Sequence, residues 1–289
     1  MGFTLAQAQV TVVGLGLMGG SLAAALSTTG ACRRVVGVAR RPSTLTMARS
    51  LRFIHWGTTE LAAGVRQADI VILATPVQDI LAKIKEIGPL LKPGCLLMDV
   101  GSTKLAICQA MEELPPHVQP IGGHPMCGKE TSGLTMAEPD LYRDKVFVLT
   151  PLARTSAGAI ALAKALVQAI GARPLLLDPA RHDRAVAAIS HLPYLLAASL
   201  VNAAAEFAQK DELVWKLAAS GFRDTSRVAA GSIPMMMDIL ATNREPILTA
   251  LRQAQRELDF LAQCLEKNDF EKLRGRLEEA RQHRLEVFP

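Results

Sequence analysis

Short, continuous apolar runs alternate with longer stretches of helical character across residues 1–178. Continuous runs, without a polar residue at every second position, are typical of strands that helices cover on both faces. Helices are predicted between many of the runs, for example at Val77–Leu91 and Thr155–Ile170. This alternation predicts an α/β domain with a doubly wound sheet. The predicted strands are Val10–Val13, Val35–Val38, Ile70–Leu73, Leu96–Asp99, Val118–Ile121, Val146–Leu149 and Pro174–Leu177.

The pattern changes at residue 179, after which strand signals stop. Residues 181–210 are rich in Ala and Leu and are interrupted by Pro193. Further on, apolar residues recur at alternating spacings of four and three, as in a coiled-coil seam; they are Ile247, Leu251, Ala254, Leu258, Leu261 and Leu265. Such a stripe packs either on its own domain or on a second subunit, and we favour the second. Two domains are therefore predicted, an α/β domain at 1–178 and an all-helical one at 179–289.

Composition narrows the classes of protein that fit. The chain has 289 residues, is 49% hydrophobic and carries a formal charge of +5, without basic clusters interleaved with aromatic residues. We therefore expect anionic small molecules as ligands rather than nucleic acid. The five cysteines form no C-x-x-C pair, which favours reduced thiols and no metal site. We expect a cytoplasmic protein, because no signal peptide and no uncharged apolar run of membrane-spanning length is recognised.

A glycine-rich loop joins the first strand to a helix in "VTVVGLGLMGGSLAAAL". The pattern Gly14-x-Gly16-x-x-Gly19, flanked by a strand and a helix, predicts a dinucleotide site. Its backbone, including Leu17 and Met18, would face the pyrophosphate at the start of the helix. The alternative is a glycine-rich turn that binds nothing.

The second strand ends in a way that favours NADP over NAD. NAD enzymes usually carry an acidic residue here that binds the ribose 2′-hydroxyl. This chain has Ala39, followed by Arg40, Arg41 and, after a proline, Ser43. Two guanidiniums and a hydroxyl can bind a 2′-phosphate. NAD remains possible if the two arginines only cover a surface loop.

Residues with chemical potential follow several predicted strands. Thr75 follows the third, Ser102 the fourth and His124 the fifth, in "PIGGHPMCG". Because ligands bind beyond the carboxyl ends of such strands, these residues should meet the glycine loop at one edge. A neutral imidazole there can take a hydroxyl proton as hydride leaves the adjacent carbon. The alternatives are a loop histidine and a Ser102 that caps the next helix.

Six segments in order resemble the prephenate/arogenate dehydrogenases of tyrosine biosynthesis: "GLGLMGGSLA", "ATPV", "DVGSTK", "GGHPMCG", "HDRAVAAISHLPY" and "SGFRDTSRVA". The chain is most similar to the short, cyanobacterial-type arogenate dehydrogenases, from about Val10 to about Leu265. The resemblance implies a Rossmann domain followed by a helical domain that forms a homodimer. It implies NADP-dependent oxidative decarboxylation of arogenate to tyrosine, with prephenate as the alternative substrate.

The resemblance also implies roles for individual residues. His124 would polarise or deprotonate the ring hydroxyl, and Ser102 would orient it. Arg227 would bind a substrate carboxylate, unless it forms an ion pair within the helical domain. Asp224, three residues earlier, is our candidate to receive the ammonium group of arogenate, with an ion pair to an arginine as the alternative.

His191, in "SHLP", would line the substrate pocket, although a buried structural histidine is the alternative. It lies nine residues after His182, which places the two on opposite faces of an ideal helix and argues against a metal pair. Some relatives carry a second histidine where this chain has Tyr194, which leaves the choice of substrate open. Some carry a C-terminal regulatory domain, whereas this chain stops at Pro289, so any feedback by tyrosine would act at the active site.

Two other classes compete with this interpretation. β-Hydroxyacid dehydrogenases share the glycine loop and use a lysine as acid and base, so Lys104 or Lys129 would then be central. A sensor that binds NADP without turning it over is the non-enzymatic alternative. Neither class explains "GGHPMCG" together with "SGFRDTSR".

Overall fold

The computed structural model describes residues 3–129 and 131–288, and its centre is an eight-stranded sheet with the order β3-β2-β1-β4-β5-β6-β7-β8. The strands are β1 (Gln9–Val13), β2 (Arg34–Val38), β3 (Trp56–Thr58), β4 (Ile70–Leu73), β5 (Leu96–Asp99), β6 (Gln119–Pro125), β7 (Val146–Pro151) and β8 (Arg173–Leu176). The first six strands are parallel. β7 is antiparallel to β6, and β8 is parallel to β7.

All seven predicted strands are present, and one was missed. β3 is only three residues long and half-buried, so it gives no apolar run to detect. β8 departs from the expectation of burial on both faces, because Leu175 and Leu176 are 48% and 42% exposed at the edge of the sheet. The α/β prediction for this part of the chain is confirmed.

Thirteen α-helices accompany the sheet in the described residues. They are α1 (Leu17–Thr29), α2 (Pro42–Ser50), α3 (Leu61–Val65), α4 (Val77–Ile87), α5 (Leu105–Glu112), α6 (Ala157–Ala169), α7 (Pro179–Val186), α8 (Leu192–Ala208), α9 (Leu213–Lys216), α10 (Ser220–Ser226), α11 (Ile233–Thr242), α12 (Arg244–Glu266) and α13 (Phe270–Val287). Two apolar clusters fill the space between sheet and helices, one on each face, and every residue of β1, β4 and β5 is buried. This two-sided core explains the continuous apolar runs.

A π-helical turn at Ala187–His191 joins α7 to α8. Pro193 follows it at the first turn of α8, where a proline needs no backbone N–H. The predicted interruption is therefore a local widening of one continuous helical run. This wider turn changes the direction of the His191 side chain from that on an ideal α-helix.

Contacts within the chain divide it into two compact units, after Arg244. Helices α7 and α11 fall in the first unit because they contact residues at the carboxyl ends of the strands, as shown below. The second unit contains most of α12 together with α13, which are linked by a bidentate pair between Arg276 and Glu257. The predicted stripe lies on α12, where Leu258 and Leu265 are each 57% exposed. The predicted boundary after residue 178 stays a prediction.

One run of helix, Pro179–Ala208, is long and apolar enough to cross a membrane by length and composition alone. The expectation that no segment reaches this length was wrong, because residues 185–205 contain no Asp, Glu, Lys or Arg. Core helices of soluble proteins can share this length and composition. The five cysteines are free, and four of them are buried.

Candidate active site

The glycine loop has the backbone geometry that a dinucleotide site requires. Gly14 has φ +96°, a conformation that other residues rarely adopt. A Cβ on Gly19 would overlap the carbonyl oxygen of Gly14, so this glycine permits close packing of helix and strand. A Cβ on Gly16 would meet no atom within 4 Å, so the chain leaves open space there. The three glycines thus fit the roles of turn, packing and close approach to a phosphate.

Thr75 supplies a second observation that fits a bound dinucleotide. Its Oγ1 is the one buried side-chain polar atom without a hydrogen-bond partner in the part of the chain the structure describes. The residue lies beside Gly14, at the end of β4. α1 begins at Leu17 without an acidic residue in its first turn. The backbone N–H groups of Leu17, Met18 and Gly19 belong to that turn and suit a pyrophosphate.

The two arginines after β2 lie at the surface beside the start of α2. Arg40, Arg41 and Ser43 are all exposed. Arg41 is the N-cap residue of α2, and Ser43 is in its first turn, which carries no acidic residue. Arg40, Arg41 and Ser43 make no hydrogen bond or ion pair through their side chains with another described residue. The start of α2 therefore offers two cations and one hydroxyl to an anion.

His124 lies within β6 rather than in a loop after it, which corrects the predicted strand end at Ile121. The residue pairs with Val148 of β7. The two preceding glycines permit close packing: a Cβ on Gly122 would overlap the Thr150 hydroxyl, and one on Gly123 would overlap the Asp99 carbonyl oxygen. Glycine therefore allows β6 to continue as a strand in contact with β5.

Beneath His124 lies an ion pair that is fully buried. Lys104 and Asp99 are both 0% exposed and joined through Nζ and Oδ2. Lys104 Nζ also donates to the Gly123 carbonyl oxygen at 2.6 Å. Asp99 accepts from the N–H groups of Gly101, at 2.7 Å, and Gly123, at 3.1 Å. The pair thus fixes the backbone on both sides of the site.

Ser102 follows β5 and is half-buried. It does not cap α5, because the N-cap residue is Lys104 and no side chain of the N-cap residue bonds there. Asp183 of α7 caps the helix instead: its carboxylate accepts from the N–H groups of Lys104, at 2.7 Å, and Leu105, at 2.9 Å. The Ser102 hydroxyl is thereby left available to a ligand.

His124 is hydrogen-bonded to a second histidine that the sequence reasoning missed. His124 Nδ1 lies 2.8 Å from His182 Nε2, and the rings meet edge to face. His182 Nδ1 in turn lies 2.7 Å from Asp183 Oδ1. His182 and Asp183 are each 1% exposed. The only signal in the sequence was the "HD" pair itself, inside a segment quoted for another histidine.

His191 joins the same cluster through Asn243. The Asn243 amide donates to the Asp183 carbonyl oxygen at 2.8 Å and lies 3.2 Å from His191 Nδ1. The expectation that His182 and His191 face opposite ways was wrong. The π-helical turn adds one residue between them, so nine residues span about the rotation of eight, roughly 80° rather than 180°.

Burial and neighbouring groups keep these histidines neutral. The pKa of His124 is lowered well below 6.5, first by loss of solvation and then by His182, Lys104 and His191. Loss of solvation lowers the pKa of His191 to about 4, although Asp183 opposes the shift. Both rings are therefore uncharged at pH 7, as a proton acceptor must be.

Arg227 and Asp224 occupy the more exposed α10 region. Asp224 lies on α10, and Arg227 directly follows that helix. Asp224 pairs with Arg223 at 3.0 Å, and both side chains are well exposed. The structure records no hydrogen bond from Asp224 to the histidine cluster. Lys129 pairs with Glu138 at 2.8 Å at the surface, and Lys104 is fully buried in its pair with Asp99, so each lysine already has a carboxylate partner.

The strand order brings the predicted residues to one edge. Gly14, Thr75, Ser102 and His124 belong to the carboxyl ends of β1, β4, β5 and β6, which are consecutive neighbours in the sheet. Three strand spacings of ~4.8 Å separate β1 from β6, or about 14 Å. An extended dinucleotide can span that distance. Within the described residues, no group of three or more metal-binding side chains occurs.

Comparisons with known proteins match both parts of the chain. The family model described as "Prephenate dehydrogenase, nucleotide-binding domain" matches residues 22–176. The one described as "Prephenate dehydrogenase, dimerization domain" matches residues 178–279. A nucleotide-binding domain is therefore followed by a helical dimerisation domain, as the sequence predicted.

Individual relatives agree with the family models. The prephenate dehydrogenase of Bacillus subtilis is 34% identical over 91% of this chain and 72% of its own. The crystal structure of Synechocystis arogenate dehydrogenase superposes with a TM-score of 0.84, 33% identity and coverage of 96% and 98% of the two chains. The prephenate dehydrogenase of Aquifex aeolicus, crystallised with hydroxyphenyl propionate and NAD+, superposes with a TM-score of 0.91, 28% identity and coverage of 99% and 100% of the two chains.

Proposed function

We propose that this chain, which belongs to the prephenate dehydrogenase family of NAD(P)-dependent oxidoreductases, converts arogenate to tyrosine. The proposed reaction is an oxidative decarboxylation that uses NADP. Prephenate is the second candidate substrate, because the Bacillus subtilis relative is named for it. The observation that carries the proposal is a half-buried, neutral His124 at the same sheet edge as the glycine loop.

The protein residues move and hold a proton during this reaction. His124 draws the proton from the ring hydroxyl while hydride leaves the carbon that bears it. A bound nicotinamide cofactor would supply the acceptor for that hydride. The ring carboxylate then leaves as CO2, the ring becomes aromatic, and the proton returns to the phenol oxygen. Ser102 holds the hydroxyl toward His124.

Substrate carboxylates need fixed donors on the other side of the pocket. We assign Arg227 to one of them, since a guanidinium binds a carboxylate through two parallel hydrogen bonds. We assign His191 to the pocket wall. Its Nδ1 faces the amide nitrogen that donates to Asp183, so Nδ1 accepts and Nε2 carries the hydrogen. A neutral N–H donor suits a carboxylate or keto oxygen.

The cofactor assignment depends on the residues after β2. Arg40 and Arg41 bring positive charge to the start of α2, where Ser43 adds a hydroxyl, and Ala39 provides no carboxylate to repel a 2′-phosphate. The structural neighbour from Aquifex aeolicus was crystallised with NAD+. NADP is therefore proposed here from this chain's own residues, with NAD as the alternative.

A comparison of four reactions tests the proposal. Purified protein is given arogenate or prephenate with NADP or NAD, and reduced cofactor is followed at 340 nm. We expect the highest kcat/KM for arogenate with NADP. A preference for prephenate would refute the proposed substrate, and a preference for NAD would refute the proposed cofactor.

His124→Asn should lower kcat by roughly 10² to 10⁴ while NADP still binds. Near-normal turnover would refute the role of His124.

The oligomeric state and the wider environment are also proposals. The match to a dimerisation domain supports a homodimer through the helical part of the chain. The long apolar helix Pro179–Ala208 is only 22% buried in its most apolar window, as expected if a second copy covers it. Light scattering in detergent-free buffer should give about twice the chain mass of 31.0 kDa.

A further inference from the structure

Asp183, His182 and His124 form a chain of hydrogen bonds that runs from two buried residues to the half-buried His124. Its one group that can only accept is the Asp183 carboxylate. Its Oδ1 already accepts the N–H of Lys104, and its Oδ2 accepts that of Leu105. A carboxylate in contact with two backbone donors can only accept at its remaining lone pairs. Asp183 therefore accepts the bond from His182 as well, and His182 Nδ1 carries the hydrogen.

The direction of the remaining bond follows from the first. With its ring hydrogen placed on Nδ1 toward Asp183, His182 presents the lone pair of Nε2 to His124. That nitrogen can only accept, so His124 Nδ1 must donate across the 2.8 Å contact. His124 is itself neutral and has one ring hydrogen. Its Nε2 is consequently the bare nitrogen of the ring.

We propose that His182, held by Asp183, is a positioning residue that fixes His124 in the tautomer with a free Nε2 lone pair. The idea rests on the proposed function, in which that nitrogen takes the proton of the ring hydroxyl. Without an acceptor for Nδ1–H, a neutral imidazole favours the opposite tautomer, and Nε2 would then carry a hydrogen. The ring would face the substrate as a donor and could not act as a base.

Charged and titratable groups around His124 fit this arrangement. Lys104 and His191 both disfavour a positive charge on His124, and Asp99 neutralises Lys104 beneath it. No carboxylate of the described chain is hydrogen-bonded to His124 itself. The His182 ring lies between the Asp183 carboxylate and His124 and is hydrogen-bonded to both. Asp183 can therefore orient His124 through His182 without pairing directly with a protonated His124.

Nitrogen NMR reads the tautomers directly and needs no substrate. The protein has six histidines, so long-range ¹H–¹⁵N spectra of ¹⁵N-histidine protein are assignable by single substitutions. Wild type at pH 7.5 should show hydrogen on Nδ1 for both His124 and His182. A His124 that is Nε2-protonated or cationic would overturn the proposal.

Two variants of His182 separate positioning from simple packing. His182→Phe fills the space but offers no acceptor, so His124 should switch to hydrogen on Nε2 and kcat should fall at least tenfold, with NADP affinity kept. His182→Gln carries both an acceptor and a donor, so it should restore the tautomer and part of the activity. His117→Phe, at the opposite end of β6, is the control and should change neither.

Each outcome bears on one claim. An unchanged His124 tautomer or unchanged kcat in His182→Phe would refute the positioning role. A loss of activity in His182→Gln equal to that in His182→Phe, with the tautomer restored, would refute it as well. If wild type shows both predicted tautomers but turns over neither arogenate nor prephenate, the proposed function fails and the hydrogen-bond chain stands.

Discussion

Replacing Lys104 with methionine should destabilise the protein by about 3 kcal/mol, near the lower end of the range for breaking a buried ion pair. The change removes the ammonium that pairs with Asp99 and leaves a carboxylate that is 0% exposed. Two hydrogen bonds to Asp99 that remain in the variant limit this loss of stability. Asp99 keeps the N–H donors of Gly101 and Gly123, and hydrogen bonds to a charged acceptor contribute roughly 1.5 to 3 kcal/mol each.

Removing the second charge should recover most of the loss. In the double variant Asp99→Asn with Lys104→Met, no charge is buried, and the asparagine oxygen keeps one of the two backbone donors. We expect it to be about 2 kcal/mol more stable than Lys104→Met alone, since uncharged replacements of buried pairs are often nearly neutral.

Urea unfolding monitored by circular dichroism measures both differences, from the midpoints at constant m. All variants must be compared at one protein concentration, because association contributes to the stability of a dimer. A loss below 1 kcal/mol in Lys104→Met would refute the reasoning. So would a double variant that is no more stable than the single one.

Four further outcomes follow from the same structure. Replacing Arg40 and Arg41 with alanine should weaken NADP binding at least tenfold in a fluorescence titration and leave NAD binding within twofold; equal loss for both would mean that the pair only shapes the loop. Gly123→Ala should cost roughly 1 to 3 kcal/mol in urea unfolding, because its Cβ meets the backbone of Asp99, whereas Gly128→Ala, with no atom within 4 Å, should cost less than 1. The free energy of unfolding should fall as pH drops from 7 to 4, because His124 and His191 take up a proton near pH 6.5 in the unfolded chain but not in the folded one. His191, whose pKa in the folded protein is about 4, alone accounts for roughly 3 kcal/mol of this loss. Urea midpoints that do not change with pH would contradict this. Asp224→Asn should reduce the preference for arogenate over prephenate in steady-state kinetics, and an unchanged ratio would leave Asp224 as the surface partner of Arg223.

The sheet could be predicted from the sequence because strands with helices on both faces have a distinctive composition. Every residue of β1, β4 and β5 is buried, so each strand appears as an apolar run. β3 escaped detection because it is short and half-buried. The end of β6 was misplaced because glycine usually weakens a strand, whereas Gly122 and Gly123 are needed there for close packing.

The predicted site residues on the sheet edge are brought together by topology alone, which follows from the order of the strands. His182, Asp183 and Asn243 could not be found in this way. His182 and Asp183 lie on α7 and Asn243 directly follows α11, and a polar residue on the buried side of a helix has no characteristic spacing. The π-helical turn also shifts His191 away from its ideal direction. Their roles depend on contacts over 52 to 60 positions of sequence, such as His124 with His182 and Asn243 with Asp183.

The sheet edge is completed by the helical part of the chain, and helix capping shows why. α4 and α5 begin directly beyond Thr75 and Ser102, but neither has a capping side chain at its own N-cap residue. Asp238 of α11 accepts the N–H of Gln78 at 3.1 Å, and Asp183 of α7 does the same for α5. Each cap is typically worth about 1 kcal/mol, and an uncapped helix start would also present free N–H groups beside the site. The residues that cap these helices belong to the same segments as His182 and Asn243, so the docking that stabilises the helix starts also places the partner of His124.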